Sequence, residues 1–390
     1  MAKLSFKRLL RIRSTKKATP LAVDLDETEL HEQDVTFGSD SDAVLGMRRS
    51  NYTEEYLQCV LVTGGAGFVG SHVAETLLLQ GKKVVVYDIF NDETSTKQQK
   101  LEIVELLKQV AVDNVSNGAS LVVIEGDVRD GPKLKEVIDQ YNVTGCVHLA
   151  GLVDDRRSVE FPEEYLDVNI VGTVTLLDTL GKCGVGMVVT NSTSSVFGSR
   201  PTNAVMLDES SERCPINPYG ASKVAADAMA HCYSHLHGMN VTNIRFFATY
   251  GPRGRPDMMP RKLIDNIIAG TTIRKFGDGS ATRSWSYVGD VVSAMLTALT
   301  QPQDGFADFN TGSTNCTTLN ELIEAAERTV GKKAVIETVP VPAGDVHTVG
   351  LPKYDKIQKV LGWTPKVGIV EGMQLTYQYS LEHPTAHVIN

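Results

Sequence analysis

Cysteine is scarce and scattered in this 390-residue chain: six residues, at 59, 146, 183, 214, 232 and 316, with no Cys-x-x-Cys pair. That pattern disfavours a disulfide framework or a zinc site and fits a reducing compartment. Long apolar runs are missing too, since no stretch approaches the roughly 18 to 20 residues that span a bilayer. The N-terminus lacks the apolar h-region of a secretory signal. Positive charge is not in excess: the formal net charge of -9 argues against broad nucleic-acid binding, while leaving room for a local basic pocket for phosphates. No internal repeat is found. A cytoplasmic protein without firm membrane association or nucleic-acid partner is expected.

What is present begins with a lopsided tail. The first 23 residues hold seven lysines and arginines and no acid, from Lys3 to Lys17, and an acidic stretch from Asp24 to Asp34 follows. Such composition reads as a solvated disordered tail over residues 1–55, with organelle targeting or contact with anionic membrane as alternatives.

From Cys59 the pattern becomes regular. An apolar run Cys59 to Val62, a glycine turn, a helix over about Ser71 to Gln80 and a second run Val84 to Tyr87 make a βαβ unit. Further runs lie at Leu121 to Ile124, Cys146 to Leu149, Met187 to Val189 and Val241 to Phe247. Helical segments near Lys133 to Tyr141, Glu163 to Leu180 and Tyr219 to His237 alternate with them. Continuous apolar runs suit strands buried on both faces, so the fold class is α/β, a doubly wound parallel sheet of Rossmann type with a smaller α/β substrate domain. The expected division is 56–250 for the nucleotide domain and 251–390 for the smaller one, interleaved with the sheet near 304–312. Residues 91–120, with a helical stretch Gln98 to Val110, read as an insertion.

Thr63-Gly-Gly-Ala-Gly-Phe-Val-Gly70 stands between a strand and a helix. Gly64 and Gly67 permit a tight turn and close approach to a pyrophosphate, Gly70 permits helix–strand packing, and the helix N-terminus attracts the charge. Asp88, eighteen residues past Gly70 at the next strand's end, can accept hydrogen bonds from an adenosine ribose and would repel a 2′-phosphate, which favours NAD. Phe68, Val69, Val128, Leu149 and Ala150 are expected to line the same cofactor site. Asp127 is either an adenine contact or a solvated strand-end acid.

Tyr219 is the only tyrosine with a lysine four residues later, Lys223. In a helix the two advance about 6 Å and one turn, onto one face. A free phenol has a pKa of about 10, and an adjacent ammonium would favour its phenolate. The hydroxyl cluster Asn191-Ser-Thr-Ser-Ser195 follows the fifth strand, where open α/β sheets bind ligands. Thr193 is its candidate proton relay to Tyr219. His231, His235 and His237 lack a partnering cysteine pair or acid cluster, and no metal is expected.

The glycine motif, the hydroxyl cluster and Tyr219-Gly-Ala-Ser-Lys223 resemble the extended short-chain dehydrogenase/reductase family, from about Cys59 to Tyr379. Arg245-Phe-Phe247, Tyr250-Gly-Pro252 and above all Gly254-Arg-Pro-Asp257 are similar to UDP-glucuronate 4-epimerases. The resemblance implies NAD-dependent 4-epimerisation of a UDP-sugar, UDP-glucuronate to UDP-galacturonate, through a 4-keto sugar, with UDP-glucose epimerisation, another nucleotide-sugar oxidoreductase or decarboxylase, or a non-catalytic NAD-binding scaffold as alternatives. It further implies that Lys223 holds the nicotinamide ribose, that Asn169 lies near the active site unless it caps a helix, and that Arg283 and Arg255 are candidates for the UDP pyrophosphate. A homodimer through the helices at 163–180 and 219–237 is also implied. Where relatives that eliminate water or decarboxylate carry acids after the threonine, this chain has Ser194 and Ser195, which could bond a sugar carboxylate. Ala248 stands where uronate epimerases have threonine and UDP-galactose epimerases have asparagine, so one polar sugar contact is absent.

Overall fold

The computed structural model describes residues 56–200, 205–314, 316–341 and 350–383. The basic and acidic N-terminal stretches lie outside the described residues. Asp88 apart, the second strand reads Lys-Val-Val-Val-Tyr, and this β-branched run forms a strand because both of its faces find apolar partners. The nucleotide half runs β1 (Cys59–Thr63), α1 (Phe68–Leu79), β2 (Lys83–Asp88), α2 (Lys97–Asp113), β3 (Ser120–Glu125), α3 (Gly131–Tyr141) and β4 (Gly145–His148). Then come α4 (Asp155–Glu160), α5 (Pro162–Leu166), a π turn (Asp167–Val171), α6 (Gly172–Lys182), β5 (Met187–Thr193), the short β6 (Met206–Leu207), α7 (Pro218–His237) and β7 (Asn240–Phe246).

The seven-stranded sheet has the order β11-β7-β5-β4-β1-β2-β3, where β11 is Phe306–Thr311, and every pairing in it is parallel. Side chains alternate across it. Val60, Val62, Val84 and Val86 enter one core with Val73, Leu77, Leu107 and Met295, while Leu61, Val85 and Tyr87 enter the other with Leu134, Leu176 and Leu180. Each large aliphatic so buried contributes about 1.5–3 kcal/mol.

Two expectations are corrected here. Residues 91–120 are not an insertion: α2 is the crossover that a parallel β2–β3 pair requires, opened by a Thr96/Gln99 capping box and packed on α1. The segment Glu163 to Leu180 is not one regular helix, because the π turn interrupts it at Asn169. Such bulges recur at functional sites, where one extra residue re-aims a side chain.

In the remaining chain, α9 (Val288–Thr300) and α11 (Asp355–Leu361) pack into the first core of the large sheet, and β14 (Leu351–Pro352) pairs with β6. A second layer is built by β8 (Ala248–Tyr250), α8 (Met259–Ala269), β9 (Thr272–Phe276), β10 (Thr282–Tyr287), β12 (Cys316–Thr318), α10 (Leu319–Val330), β13 (Val335–Val339) and α12 (Ile369–Glu382). The β12-β10-β8 sheet carries Tyr250 into a third core with Leu263, Ile264, Leu322 and Met373. Since β8 follows β7 after one residue, this core is fastened directly to the carboxyl end of the large sheet. Among the described residues no helix is long and apolar enough to cross a membrane.

Candidate active site

A cavity of about 1150 Å³ opens at the carboxyl ends of the parallel strands, the place such sheets leave for ligands. Its nucleotide end is the glycine turn. Gly64 has a φ of +67°, and a Cβ there would lie 2.7 Å from the Ala150 nitrogen; at Gly70 it would lie 2.1 Å from the Gly64 oxygen. Only hydrogen fits at either place, so the backbone can approach a ligand closely. Thr63 fixes the turn to the neighbouring strand: its hydroxyl meets His148 Nδ1 at 2.7 Å and accepts from the amides of Leu149 (3.2 Å) and Ala150 (3.3 Å). Burial pulls His148 down to about 3, with the Lys223 charge acting the same way, so the ring is neutral.

Asp88 stands where the ribose was expected. One carboxylate oxygen accepts from the Ala66 amide at 3.1 Å; the other accepts from the Phe90 amide and from Lys100 Nζ, each at 3.2 Å. Lys100 comes from α2 and is only 3% exposed. Sequence reading missed it, although a lysine in the first turn of a capped helix beside a strand-end acid was a usable signal. The glycine cradle and the Asp88 carboxylate fit a dinucleotide's pyrophosphate and ribose. Phe68, Val69, Val128, Leu149 and Ala150 all line the cavity. Asp127 lines it as well, but Arg129 grips its carboxylate at 2.9 and 3.0 Å and holds it below the usual carboxylate range, and its backbone oxygen accepts from Tyr87.

At the other end, Asn217 opens α7: its Oδ1 accepts from the Gly220 amide at 2.8 Å, and Pro218 takes the first helical position. This places Tyr219 in the first turn, facing the cavity that Thr193, at the end of β5, also lines. Burial drives the phenol well above its ordinary value, and the Asp155 carboxylate pushes the same way. The Thr193 hydroxyl and the Arg255 charge oppose them.

Lys223 stands one turn after Tyr219, and its Nζ donates to Asn191 Oδ1 at 3.3 Å. A cation that bears on the Tyr219 phenol from another element is Arg255. Lys223 is 5% exposed, and burial pulls its ammonium down to about 8 despite Asp227. It is not among the residues lining the cavity, whereas Asn191 is.

Asn169 is neither a cavity residue nor a helix cap. Buried in the π turn, it accepts from the Leu152 amide at 2.8 Å and donates to the Leu152 oxygen and to Ser222 Oγ, both at 3.0 Å. It braces the loop after β4 against the helix that carries Tyr219. A regular helical turn would aim this position elsewhere.

The sugar end is not free of acid. Ser194 and Ser195 line it, as does Asn217, but Ser195 Oγ donates to Asp155 Oδ1 at 3.1 Å. Burial raises the Asp155 carboxyl above the ordinary range, Asp154 adds to the rise, and Ser195, Asn217 and Arg283 counter it. Arg255 and Arg283 both line the cavity. Arg255 pairs with Asp257 at 2.9 Å and with Asp154 at 3.6 Å, and Arg283 Nη1 donates to the Thr282 oxygen at 2.9 Å.

Behind the serine loop lies a buried brace. Ser192 Oγ donates to Asp227 at 2.9 Å, and fully buried Arg245 meets Asp227 at 3.5 Å, Asp308 at 3.1 Å and Asn310 at 2.7 Å. This network ties β5, β7, β11 and α7 together beneath Thr193 and Tyr219. Among the described residues no group of three or more His, Cys, Asp or Glu is arranged to hold a metal.

Residues 61–376 match the family described as GDP-mannose 4,6 dehydratase. A UDP-glucuronate 4-epimerase of Thermodesulfobacterium geofontis is 33% identical over 324 residues, covering 83% of this chain and 96% of that one. Among solved structures, the UDP-glucuronic acid 4-epimerase of Bacillus cereus with UDP-glucuronic acid and NAD is similar at a TM-score of 0.73 and 26% identity, over 83% of this chain and 99% of that one. The UDP-glucose 4-epimerase of Thermotoga maritima with UDP-glucose is similar at 0.71 and 29%, with the same coverage.

Proposed function

The chain belongs to the GDP-mannose 4,6 dehydratase family of extended short-chain dehydrogenase/reductases, and on that premise we propose that it is an NAD-dependent 4-epimerase interconverting UDP-glucuronate and UDP-galacturonate. The observation that carries this reading is that Tyr219 and Thr193 open into the same cavity as the glycine cradle and Asp88. Gly64, Gly67, Gly70 and Asp88 hold the dinucleotide, with Asp127 at its adenine end and Lys223 and Asn191 at its nicotinamide ribose. Bound NAD supplies a hydride acceptor and donor, so the sugar passes through a 4-keto form and leaves inverted at that carbon.

Tyr219 takes the proton of the sugar 4-hydroxyl, and Thr193 holds that oxygen within reach. On the return step Tyr219 gives the proton back. The phenol lies high in the free chain, so its use as a base depends on positive charge arriving in the cavity beside Arg255. Ser194 and Ser195 offer hydroxyls to the sugar carboxylate. Arg255 and Arg283, planar forks in the cavity wall, suit the pyrophosphate oxygens. The paired acids that accompany elimination in relatives remain replaced by serines, although Asp155 brings a carboxylate to the same end from another element.

The test is to incubate the protein with NAD and UDP-glucuronate and separate the epimers chromatographically. A protein that binds NAD yet leaves the substrate unchanged would sink the reading, as would net formation of NADH or carbon dioxide. The Asp155 carboxylate, bonded to Ser195 at the sugar end, favours a neutral UDP-hexose as the second reading, tested with UDP-glucose in the same assay.

We also propose that 251–390 supplies most of the sugar-nucleotide half, that the protein works in a reducing cytoplasm with all six cysteines as thiols, and that it is a homodimer. Outward-facing Leu166, Val171, Met229 and Leu236 on the helices at 162–182 and on α7 support the last point. Leu236→Glu is expected to sediment as a monomer where the parent chain sediments as a dimer; identical sedimentation would refute this interface.

A further inference from the structure

Asp155 has no role in the reaction as described, yet it reaches the sugar end of the cavity. It opens α4, forty residues before Ser195, and its carboxylate accepts from the Ser195 hydroxyl at 3.1 Å. The side chain of Asn217, which caps the helix of Tyr219, lowers that carboxyl's pKa as Ser195 does. Its hydrogen-bond partners are therefore neutral. The charged and titratable groups around it are Asp154 beside it in sequence, Arg283 from β10 and the Tyr219 phenol. Arg255 lies next to Asp154, and Arg156 stacks its guanidinium over Phe276.

A uronate carboxylate bonded to Ser194 and Ser195 would therefore come against a second carboxylate already held by Ser195. Two carboxylates sharing one partly desolvated site do not both ionise; one proton is held between them. A neutral hexose offers a hydroxyl in the same place and can donate to ionised Asp155 instead.

Resting on the functional reading above, we propose that Asp155 is the specificity-determining residue of the sugar site: a uronate is bound with uptake of one proton onto the Asp155–substrate carboxylate pair, and a neutral hexose is bound without it. The burial that already favours the protonated form of Asp155 in the free chain acts in the same direction. The diester pyrophosphate of a UDP-sugar does not titrate near neutrality, so the proton count reports on this pair and its neighbours. Uronate affinity then falls as pH rises, by about tenfold per unit once Asp155 is ionised in the free protein.

Calorimetry of the NAD-loaded protein in buffers of different ionisation enthalpy counts the protons directly. At pH 8, about one proton is expected per UDP-glucuronate and about none per UDP-glucose. Asp155→Asn should take up about none with either and bind UDP-glucuronate about tenfold more tightly at that pH, with its affinity flat between pH 7 and 8. The comparison of the two sugars in the unaltered protein stands even if the variant fails to fold. Uronate binding without proton uptake, or uptake that persists in Asp155→Asn, overturns the role of Asp155 while leaving the epimerase reading intact. A protein that binds neither sugar nucleotide overturns both, and failure of turnover with proton-linked uronate binding overturns the reaction alone.

Discussion

Replacing Lys223 by methionine should make the cofactor-free protein more stable while abolishing turnover. The ammonium is buried and meets Asn191 as its hydrogen-bond acceptor, and burial lowers its pKa from the ordinary 10.5 to about 8. A base whose pKa is depressed in the folded state destabilises that state wherever it must carry its charge. The penalty is fully present below pH 8 and is released as pH rises from 8 to 10.5. At 1.36 kcal/mol per unit the shift amounts to roughly 3 kcal/mol. Methionine has nearly the same length and no charge, and loss of the Asn191 bond returns about 1 kcal/mol of that gain. Urea denaturation of the two proteins at pH 7 should therefore show the variant more stable by about 2 kcal/mol, and the gap should close by pH 10. Subtracting one curve from the other removes the titration of groups they share. A variant equal to or less stable than the parent at pH 7, or a gap unchanged at pH 10, would refute the reasoning. Retained turnover would separately show that the ammonium is dispensable for chemistry.

Three further outcomes are expected. Tyr219→Phe should lose about 10²- to 10⁴-fold in turnover number, the range for removing a general base, with NAD affinity kept; single-turnover kinetics and a binding titration distinguish the two. Gly70→Ala should weaken NAD binding at least tenfold, because the added methyl would sit 2.1 Å from a backbone oxygen of the cradle that cannot move alone; fluorescence titration measures it. Arg245→Met should cost about 3–5 kcal/mol in denaturation, since Asp227 and Asp308 are left buried beside a lost cation.

The parallel sheet was legible because its signals are local. Apolar runs buried on both faces and the glycine turn between β1 and α1 each depend on residues a few positions apart. The crossover α2 was misread as an insertion for a related reason: its mean hydropathy is low and its length exceeds a minimal connection, yet Ile103, Val104 and Leu107 bury a sufficient stripe. The π turn left no signal at all. It arises because Asn169 satisfies Leu152 and Ser222 across the fold, and those partners are 17 and 53 residues distant in sequence.

The active site divides along the same line. The spacing of Tyr219 and Lys223 was legible, since helical periodicity alone puts both on one face. It could not say what sets the strength of the base. Burial depends on what covers the cavity, and the charges that bear on the phenol, Arg255 and Asp155, come from a loop and a short helix with no fixed spacing to Tyr219. Asp154-Asp155-Arg156-Arg157 reads as a solvated charge run until α4 folds against α7 and turns one of its carboxylates toward Ser195. Serines replacing acids after Thr193 therefore do not make the sugar end neutral; they move its negative charge to a different element. Because the same carboxylate raises the Tyr219 phenol, a change at Asp154 or Asn217 that retunes Asp155 also shifts the base. The proposed substrate choice and the oxidation step are therefore coupled through Asp155.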